Sequence, residues 1–238
     1  NQNASGLRSK LNEIVVTYEA GQYGSFLTNH DQDRSFNRFG LNIPKAKLAA
    51  SILLSLPGVP YLYYGEEIGM TGQKPDENIR KPMQWSADPQ AGFTTGQAWQ
   101  APSSNFASFN VADQQTDESS LLSHYKKWIQ LRNAIGQLRT GEITMANSSA
   151  SSVFSFLRKS NNEAQSYLVV HNLAQARNDL PISLGSSALA EGSYALFDVL
   201  SNTSIGQLNV GPNGAIQGTA EEVPLEAFGS YVLRLDAQ

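Results

Sequence analysis

Between Pro57-Gly58 and Gly65 the chain reads Val59-Pro60-Tyr61-Leu62-Tyr63-Tyr64, a run of β-branched and aromatic residues with no polar alternation. A short apolar run bounded by turn signals predicts a strand buried on both faces, as in a parallel sheet. Parallel strands cannot be joined by a tight hairpin and need a crossover, usually a helix. The preceding residues supply one. A helix is predicted from about Pro44, with Asn42 as N-cap, Pro44 in the first turn and Leu48, Ala49, Ile52, Leu53 and Leu56 as its apolar stripe. Further upstream, Phe26–Thr28 reads as a second strand, and Leu7, Leu11, Ile14, Val15 and Tyr18 mark one face of an earlier helix. Helix, strand, helix, strand is the α/β pattern.

Two parallel strands with three helices leave sheet edges unpaired, and native chains cover such edges. The first half is therefore expected to need strands from elsewhere. From Gly65 to Asn110 the chain is rich in Gly, Pro, Gln, Asn and Ser, and a loop of that length in a compact domain is usually functional or disordered. Its embedded aromatics predict order. A third long helix is expected over Ser119–Ile135, with Leu121, Leu122, Tyr125, Trp128, Ile129 and Ile135 on its apolar side.

After Gly141 the pattern changes to short β segments at Val153–Leu157, Tyr167–Asn172, Tyr194–Leu200, Gln207–Val210 and Ser230–Leu235. They are separated by turn signals at Asn161-Asn162, Gly185, Gly192, Pro212-Asn213-Gly214 and Gly229, the spacing of an antiparallel sandwich or barrel. The predicted organisation is an α/β domain over residues 1–138 and an all-β domain over residues 139–238.

Composition excludes several classes. With 17 Lys+Arg against 21 Asp+Glu and no basic stripe, nothing points to a nucleic-acid partner. No cysteine is present, which removes disulfides, thiolate metal sites and cysteine nucleophiles. The longest apolar run, Leu48–Leu56, is too short to cross a bilayer, so no membrane partner is expected. No secretory leader is recognisable, and an opening Asn1 predicts a processed or excised polypeptide.

The densest chemistry lies just beyond the first predicted strand, at Asn29, His30, Asp31, Asp33 and Arg34. Carboxyl ends of strands are where α/β folds place their sites. A carboxylate beside an imidazole and a guanidinium can accept hydrogen bonds from vicinal hydroxyls, which suits a sugar. The same residues also fit a plainer arrangement, with Asn29 or Asp31 capping the turn and Asp33 and Arg34 forming a solvated ion pair. Glu66-Glu67, after the second strand, is an acidic pair of which at most one faces a pocket, the alternative being an ion pair that locks neighbouring loops. In the long loop, Arg80, Gln84, Trp85, Phe93, Trp99 and Phe106 offer hydrogen bonds and ring faces for a sugar, or a small core of the loop's own. His124 and His171 have no second ligand at metal spacing and are read as structural; no metal motif is seen.

Phe26-Leu27-Thr28-Asn29-His30-Asp31, Gly58-Val59-Pro60-Tyr61-Leu62-Tyr63-Tyr64-Gly65-Glu66-Glu67-Ile68-Gly69-Met70 and Asn78-Ile79-Arg80-Lys81-Pro82-Met83-Gln84-Trp85 together resemble the C-terminal part of the α-amylase family of retaining glycoside hydrolases. The flavour is that of bacterial α-amylases, oligo-1,6-glucosidases and α-glucosidases, whose loop after the eighth strand commonly reads Arg-Thr-Pro-Met-Gln-Trp; Lys81 stands here in place of that Thr. The resemblance implies the last part of a (β/α)8 barrel, with Phe26–Thr28 as seventh strand and Val59–Tyr64 as eighth, followed by an antiparallel β-sandwich.

By the same resemblance Asp31 matches the carboxylate that stabilises the transition state, and His30 the histidine that assists it. Asn29, Arg34, Glu67 and Arg80 are expected to bind substrate, an α-glucan or maltooligosaccharide of starch origin. Retaining hydrolysis also needs a nucleophile and a general acid about 5–5.5 Å apart. The family carries these after its fourth and fifth strands, and neither motif occurs in this sequence. A full barrel takes at least about 200 residues. The resemblance therefore implies a C-terminal piece, inactive alone, whose partner is the N-terminal part of the same enzyme. No cofactor is expected in this chain, the family's calcium sites lying mostly in earlier parts of the barrel, and a secreted or periplasmic setting is favoured over a cytoplasmic one. The competing readings are a non-catalytic carbohydrate-binding fragment and a catalytically silent partner of a membrane transporter; relatives of the latter kind carry a membrane span.

Overall fold

The computed structural model describes residues 2–19, 21–160, 163–217 and 219–238, so the expected turn at Asn161-Asn162 lies outside the described residues. In chain order the elements are α1 (Ser5–Thr17), β1 (Gly24–Phe26), α2 (Ser35–Arg38), α3 (Ile43–Ser55), β2 (Val59–Tyr61), α4 (Asp76–Ile79), α5 (Val111–Gln114), α6 (Leu121–Ala134) and α7 (Gly136–Thr140). The strands β3 (Glu142–Ala146), β4 (Val153–Ser160), β5 (Glu163–Asn172), β6 (Arg177–Pro181), β7 (Gly192–Asp198), β8 (Thr203–Val210), β9 (Thr219–Leu225) and β10 (Ser230–Ala237) follow. They sort into two units: Gly24–Leu54 with Val59–Asn133, and Asn1–Tyr23 with Ser55–Gly58 and Ala134–Gln238.

In the first of these units α3 begins where its cap predicts, with Asn42 Oδ1 accepting from the Lys45 amide at 3.0 Å. The start of α6 is fixed similarly by Ser120, whose hydroxyl accepts from the Ser123 amide at 3.0 Å. Arg132 donates to the Leu54 carbonyl at 3.0 Å, and the His124 ring lies 2.9 Å from the Ser51 hydroxyl and 3.0 Å from the Lys47 carbonyl. Trp128 is 1% exposed and anchors the apolar side of α6.

β1 and β2 pair in parallel, Gly24 opposite Val59, Ser25 opposite Pro60 and Phe26 opposite Tyr61. The strand expected at Phe26–Thr28 thus lies two residues earlier. Its extent is set by where β2 can pair, immediately after Gly58, and no local propensity encodes that. The second strand stops at Tyr61. It is also not buried on both faces as expected: Val59, Tyr61 and Phe26 on one face are exposed, while Ser25 and Pro60 on the other are half-buried, and among the described residues this sheet has only two strands.

The long segment after β2 is ordered, as its aromatics predicted, but through amide side chains. Gln84 donates to the Phe109 carbonyl, Asn105 Nδ2 to Gly69 O at 2.9 Å and Gln114 Nε2 to Ile68 O at 2.8 Å. Each satisfies a backbone acceptor that no regular element serves. The aromatics do not form a core of their own: Trp85, Phe93 and Trp99 are exposed.

The second unit is an antiparallel sandwich. A six-stranded sheet in the order β3-β4-β5-β10-β7-β8 and a two-stranded sheet β6-β9 share one core, in which Leu157, Leu168, Leu196 and Leu233 meet Leu180 and Val223. His171 is wholly buried in this unit, between the hydroxyls of Ser55 (3.0 Å) and Ser230 (2.8 Å), with its ring stacked 6.0 Å from Phe154. Among the described residues no helix is long and apolar enough to cross a membrane.

Burial pushes the pKa of His171 down to about 3, and burial likewise lowers His124 to about 4. Both imidazoles are therefore neutral in the fold, whereas in the unfolded chain they titrate near 6.5. Their contribution is complete above about pH 6.5 and is lost as the pH falls toward 3–4, at up to about 1.4 kcal/mol per unit for each group. Thermal melts from pH 7 to pH 4 should show a falling midpoint, and His171→Gln, which keeps a polar partner for the two serines, should flatten the slope. An unchanged acid slope in that variant would show that His171 is not its source.

Candidate active site

The turn after β1 carries Asn29, His30 and Asp31 past the carboxyl end of the strand. Asn29 Oδ1 accepts from the Asp31 amide at 2.9 Å, closing the turn so that the Asp31 side chain stands outward. Asp31 Oδ1 accepts from Arg80 Nη2 at 3.0 Å, and Asp31 Oδ2 lies 3.3 Å from His30 Nε2. The Arg80 Nε donates to the His30 carbonyl at 3.0 Å, and its Nη2 also reaches Asp76 at 2.8 Å. Arg80 thus grips one turn by both main chain and side chain. His30, Asp31 and Arg80 are all exposed, and Asn29 is half-buried.

Asn29 caps the turn, as the plainer reading expected; Asp33 and Arg34 do not pair with each other. Asp33 Oδ1 instead accepts from the Lys74 amide at 2.8 Å, while the Asp33 carbonyl accepts from the Thr28 hydroxyl at 2.9 Å. Arg34 is the larger departure. Expected to line the sugar site, it is 1% exposed and offers a ligand no surface. Its Nη1 donates to the Tyr64 carbonyl at 2.6 Å, and its guanidinium carbon lies 4.8 and 4.6 Å from the ring centroids of Tyr63 and Tyr64. The two aromatic faces supply part of the stabilisation that water would otherwise give the charge.

The segment after β2 turns at Gly65 with φ of 81°, and a Cβ there would collide with the Met70 side chain. Only glycine suits both conditions. That turn delivers Glu66 and Glu67 into cover. Glu67 is half-buried; burial raises its pKa, opposed by its own and the Gly65 amides and by the Arg34 charge. Glu66 is 3% exposed, and neither carboxylate oxygen meets a donor in hydrogen-bonding geometry among the described residues. Burial raises its pKa to about 8, assisted by the Glu67 charge; the Tyr63 amide, Tyr125 hydroxyl and Arg34 oppose the rise. At pH 7 Glu66 is a neutral carboxylic acid. Spacing alone did not single it out from its neighbour, because which of two adjacent acids is sealed depends on packing against Tyr125, far along the chain.

A cleft of about 380 Å³ lies beside the turn, bounded by Gly24, Phe26, Thr28, Asn29 and Tyr61–Tyr63. Among the described residues no three His, Asp or Glu side chains stand close enough together to hold a metal ion.

The family described as alpha amylase, catalytic domain, matches residues 3–141. Alpha-amylase 3 of Dictyoglomus thermophilum is 40% identical over 155 residues, covering 64% of this chain and 30% of that protein. A probable oligo-1,6-glucosidase 2 of Bacillus subtilis is 31% identical over 191 residues, covering 63% and 34%. Among solved structures, an alpha-amylase from H. orenii superposes with a TM-score of 0.70 at 30% identity, over 99% of this chain and 45% of that one. The matched region spans about a third of the curated relatives.

For Glu66, a pKa raised above its unfolded value means that its contribution is intact below about pH 4.5 and is lost as pH rises toward 8. Glu66→Gln keeps shape and removes the proton. In urea unfolding it should gain stability over the parent at pH 8.5, by a few kcal/mol at about 1.4 kcal/mol per unit traversed, and little at pH 4.5. Equal gains at both pH values would refute the assignment.

Proposed function

The chain belongs to the α-amylase family and carries the last part of its (β/α)8 barrel followed by the β-sandwich, and from that premise we propose that it forms one wall of the active site of an α-glucan-hydrolysing enzyme. The family acts on α-linked glucose units; relatives include proteins named for α-amylase and oligo-1,6-glucosidase activity. In this reading Asp31 is the transition-state stabiliser, accepting hydrogen bonds from sugar hydroxyls while the ring flattens toward an oxocarbenium ion, and His30 donates beside it. Asn29 fixes the turn and borders the cleft, Arg80 keeps Asp31 aimed, and Glu67 borders the same loops.

The observation that carries the reading is the bond from Arg80 Nη2 to Asp31 Oδ1, with His30 on the other carboxylate oxygen. A carboxylate held at both oxygens by these partners is oriented to meet positive charge developing on a sugar ring. The bond-breaking pair, nucleophile and acid, would come from the preceding part of the barrel. The exposed rings of Trp85, Phe93 and Trp99 favour a second reading, glucan binding without hydrolysis.

One set of measurements separates them. The 238-residue chain by itself should not hydrolyse maltooligosaccharides, whereas the enzyme that includes the preceding barrel segment should, and Asp31→Asn in that enzyme should lower kcat by at least about 10²–10³. Turnover by the short chain alone at verified purity would sink the division of labour. Binding of maltooligosaccharide by the longer protein without any hydrolysis would establish the binding-only reading instead.

A further inference from the structure

Arg34 is placed where a charge is costly. It is 1% exposed, and of its donors only Nη1 has a hydrogen-bond acceptor; Nε and Nη2 are buried with none among the described residues. Removing a charge from water costs several kcal/mol, and replacing such groups by apolar side chains of similar volume is often neutral or stabilising. Stability alone gives no reason for an arginine here.

What the guanidinium provides is a fixed link. Its bond to the Tyr64 carbonyl ties the residue three positions beyond Asp31 to the chain just past β2. The links around it are all short and polar: the Arg34 amide to Gly72 O at 2.9 Å, the Lys74 amide to Asp33 Oδ1 at 2.8 Å, and the Gly72 amide to Asn37 Oδ1 at 2.7 Å. Among them the Arg34–Tyr64 bond is the one donated by a charged group that is itself 1% exposed and packed against two rings. Asp31, by contrast, is held at its tip by exposed partners, and exposed ion pairs contribute at most about 1 kcal/mol.

We propose that Arg34 is a positioning residue: from beneath Tyr63 and Tyr64 it fixes the turn bearing His30 and Asp31 against the segment after β2, so that Asp31 meets the sugar already oriented. It touches no substrate. The consequence for activity rests on the function proposed above, while the structural claim does not.

The test uses Arg34→Met, which keeps length and apolar contact but removes the charge and its donor, with Arg34→Lys as the conservative comparison. In the 238-residue chain, amide hydrogen exchange across residues 28–34 should rise about tenfold or more in Arg34→Met while α6 and the sandwich strands stay as protected as in the parent, with the melting midpoint unchanged or higher. In the enzyme with its preceding barrel segment, kcat should fall at least tenfold with KM within about threefold, and Arg34→Lys should recover part of it. Unaltered exchange at 28–34 would overturn the proposal. So would a general rise in exchange with a fallen midpoint, which is what a purely structural residue gives. If the parent enzyme hydrolyses no α-glucoside, the functional reading fails, and the exchange result still decides the role of Arg34.

Discussion

Three residue pairs, Gly24 with Val59, Ser25 with Pro60 and Phe26 with Tyr61, set everything around the site. Because the pairing is parallel, both strands end at the same edge, and the turn that carries Asp31 leaves beside the segment that carries Glu66, Glu67 and Arg80. A ladder this short is marginal in water, where isolated two-stranded sheets hardly persist. Proline at position 60 also lacks an amide to donate. The strands can therefore set direction but not hold the loops, and the holding falls to side chains beyond their ends: Thr28 to Asp33, Asp33 to Lys74, Arg34 to Tyr64, and Arg80 to the His30 carbonyl.

How much of this was legible depends on whether the determining contacts are local. The helices α1, α3 and α6 follow from periodicity and, for α3, from its Asn42 cap, all of which lie within a few turns of chain. Five sandwich strands were legible from dense β-branched and aromatic runs. β3, β6 and β9 were not: β6 reads Arg-Asn-Asp-Leu-Pro, β9 contains Pro224, and β3 holds only two large apolar residues, so each is a strand because of its partner and not its composition. β6 and β9 in fact pair with each other, across a separation that no local pattern records. The two-residue error in β1 and the one exposed face of β2 have the same origin, since ladder length and burial are decided by neighbours.

The site shows the same division at side-chain scale. The chemistry of Asn29, His30 and Asp31 could be read because residue type and strand-end position are both written in the sequence. That Arg80 reaches back 49 positions to Asp31 could not be read from spacing. Nor could the burial of Arg34: a guanidinium next to the Asp33 carboxylate suggests a wet ion pair, but Arg34 instead lies buried against Tyr63 and Tyr64, donating to the Tyr64 carbonyl. Glu66 was indistinguishable from Glu67 until Tyr125 on α6 closed over it. Each of these outcomes is a long-range desolvation, the kind of event that reverses what a polar side chain means.

The energies of these contacts differ in a way that suits the chemistry proposed for the site. The Arg80–Asp31 and His30–Asp31 pairs lie in water, where exchanging a protein partner for a sugar hydroxyl costs little, so the carboxylate can trade hydrogen bonds as substrate arrives. The Arg34 guanidinium lies out of water, where losing the Tyr64 carbonyl would leave a buried charged donor without an acceptor, at a cost of at least about 1–3 kcal/mol. A group meant to stabilise a developing positive charge gains most when its position is fixed beforehand and only its hydrogen-bond partners change. A loose rim over a stiff base meets that requirement: Arg80 and His30 leave Asp31 adaptable at its oxygen atoms, and Arg34 leaves it almost no freedom in its backbone.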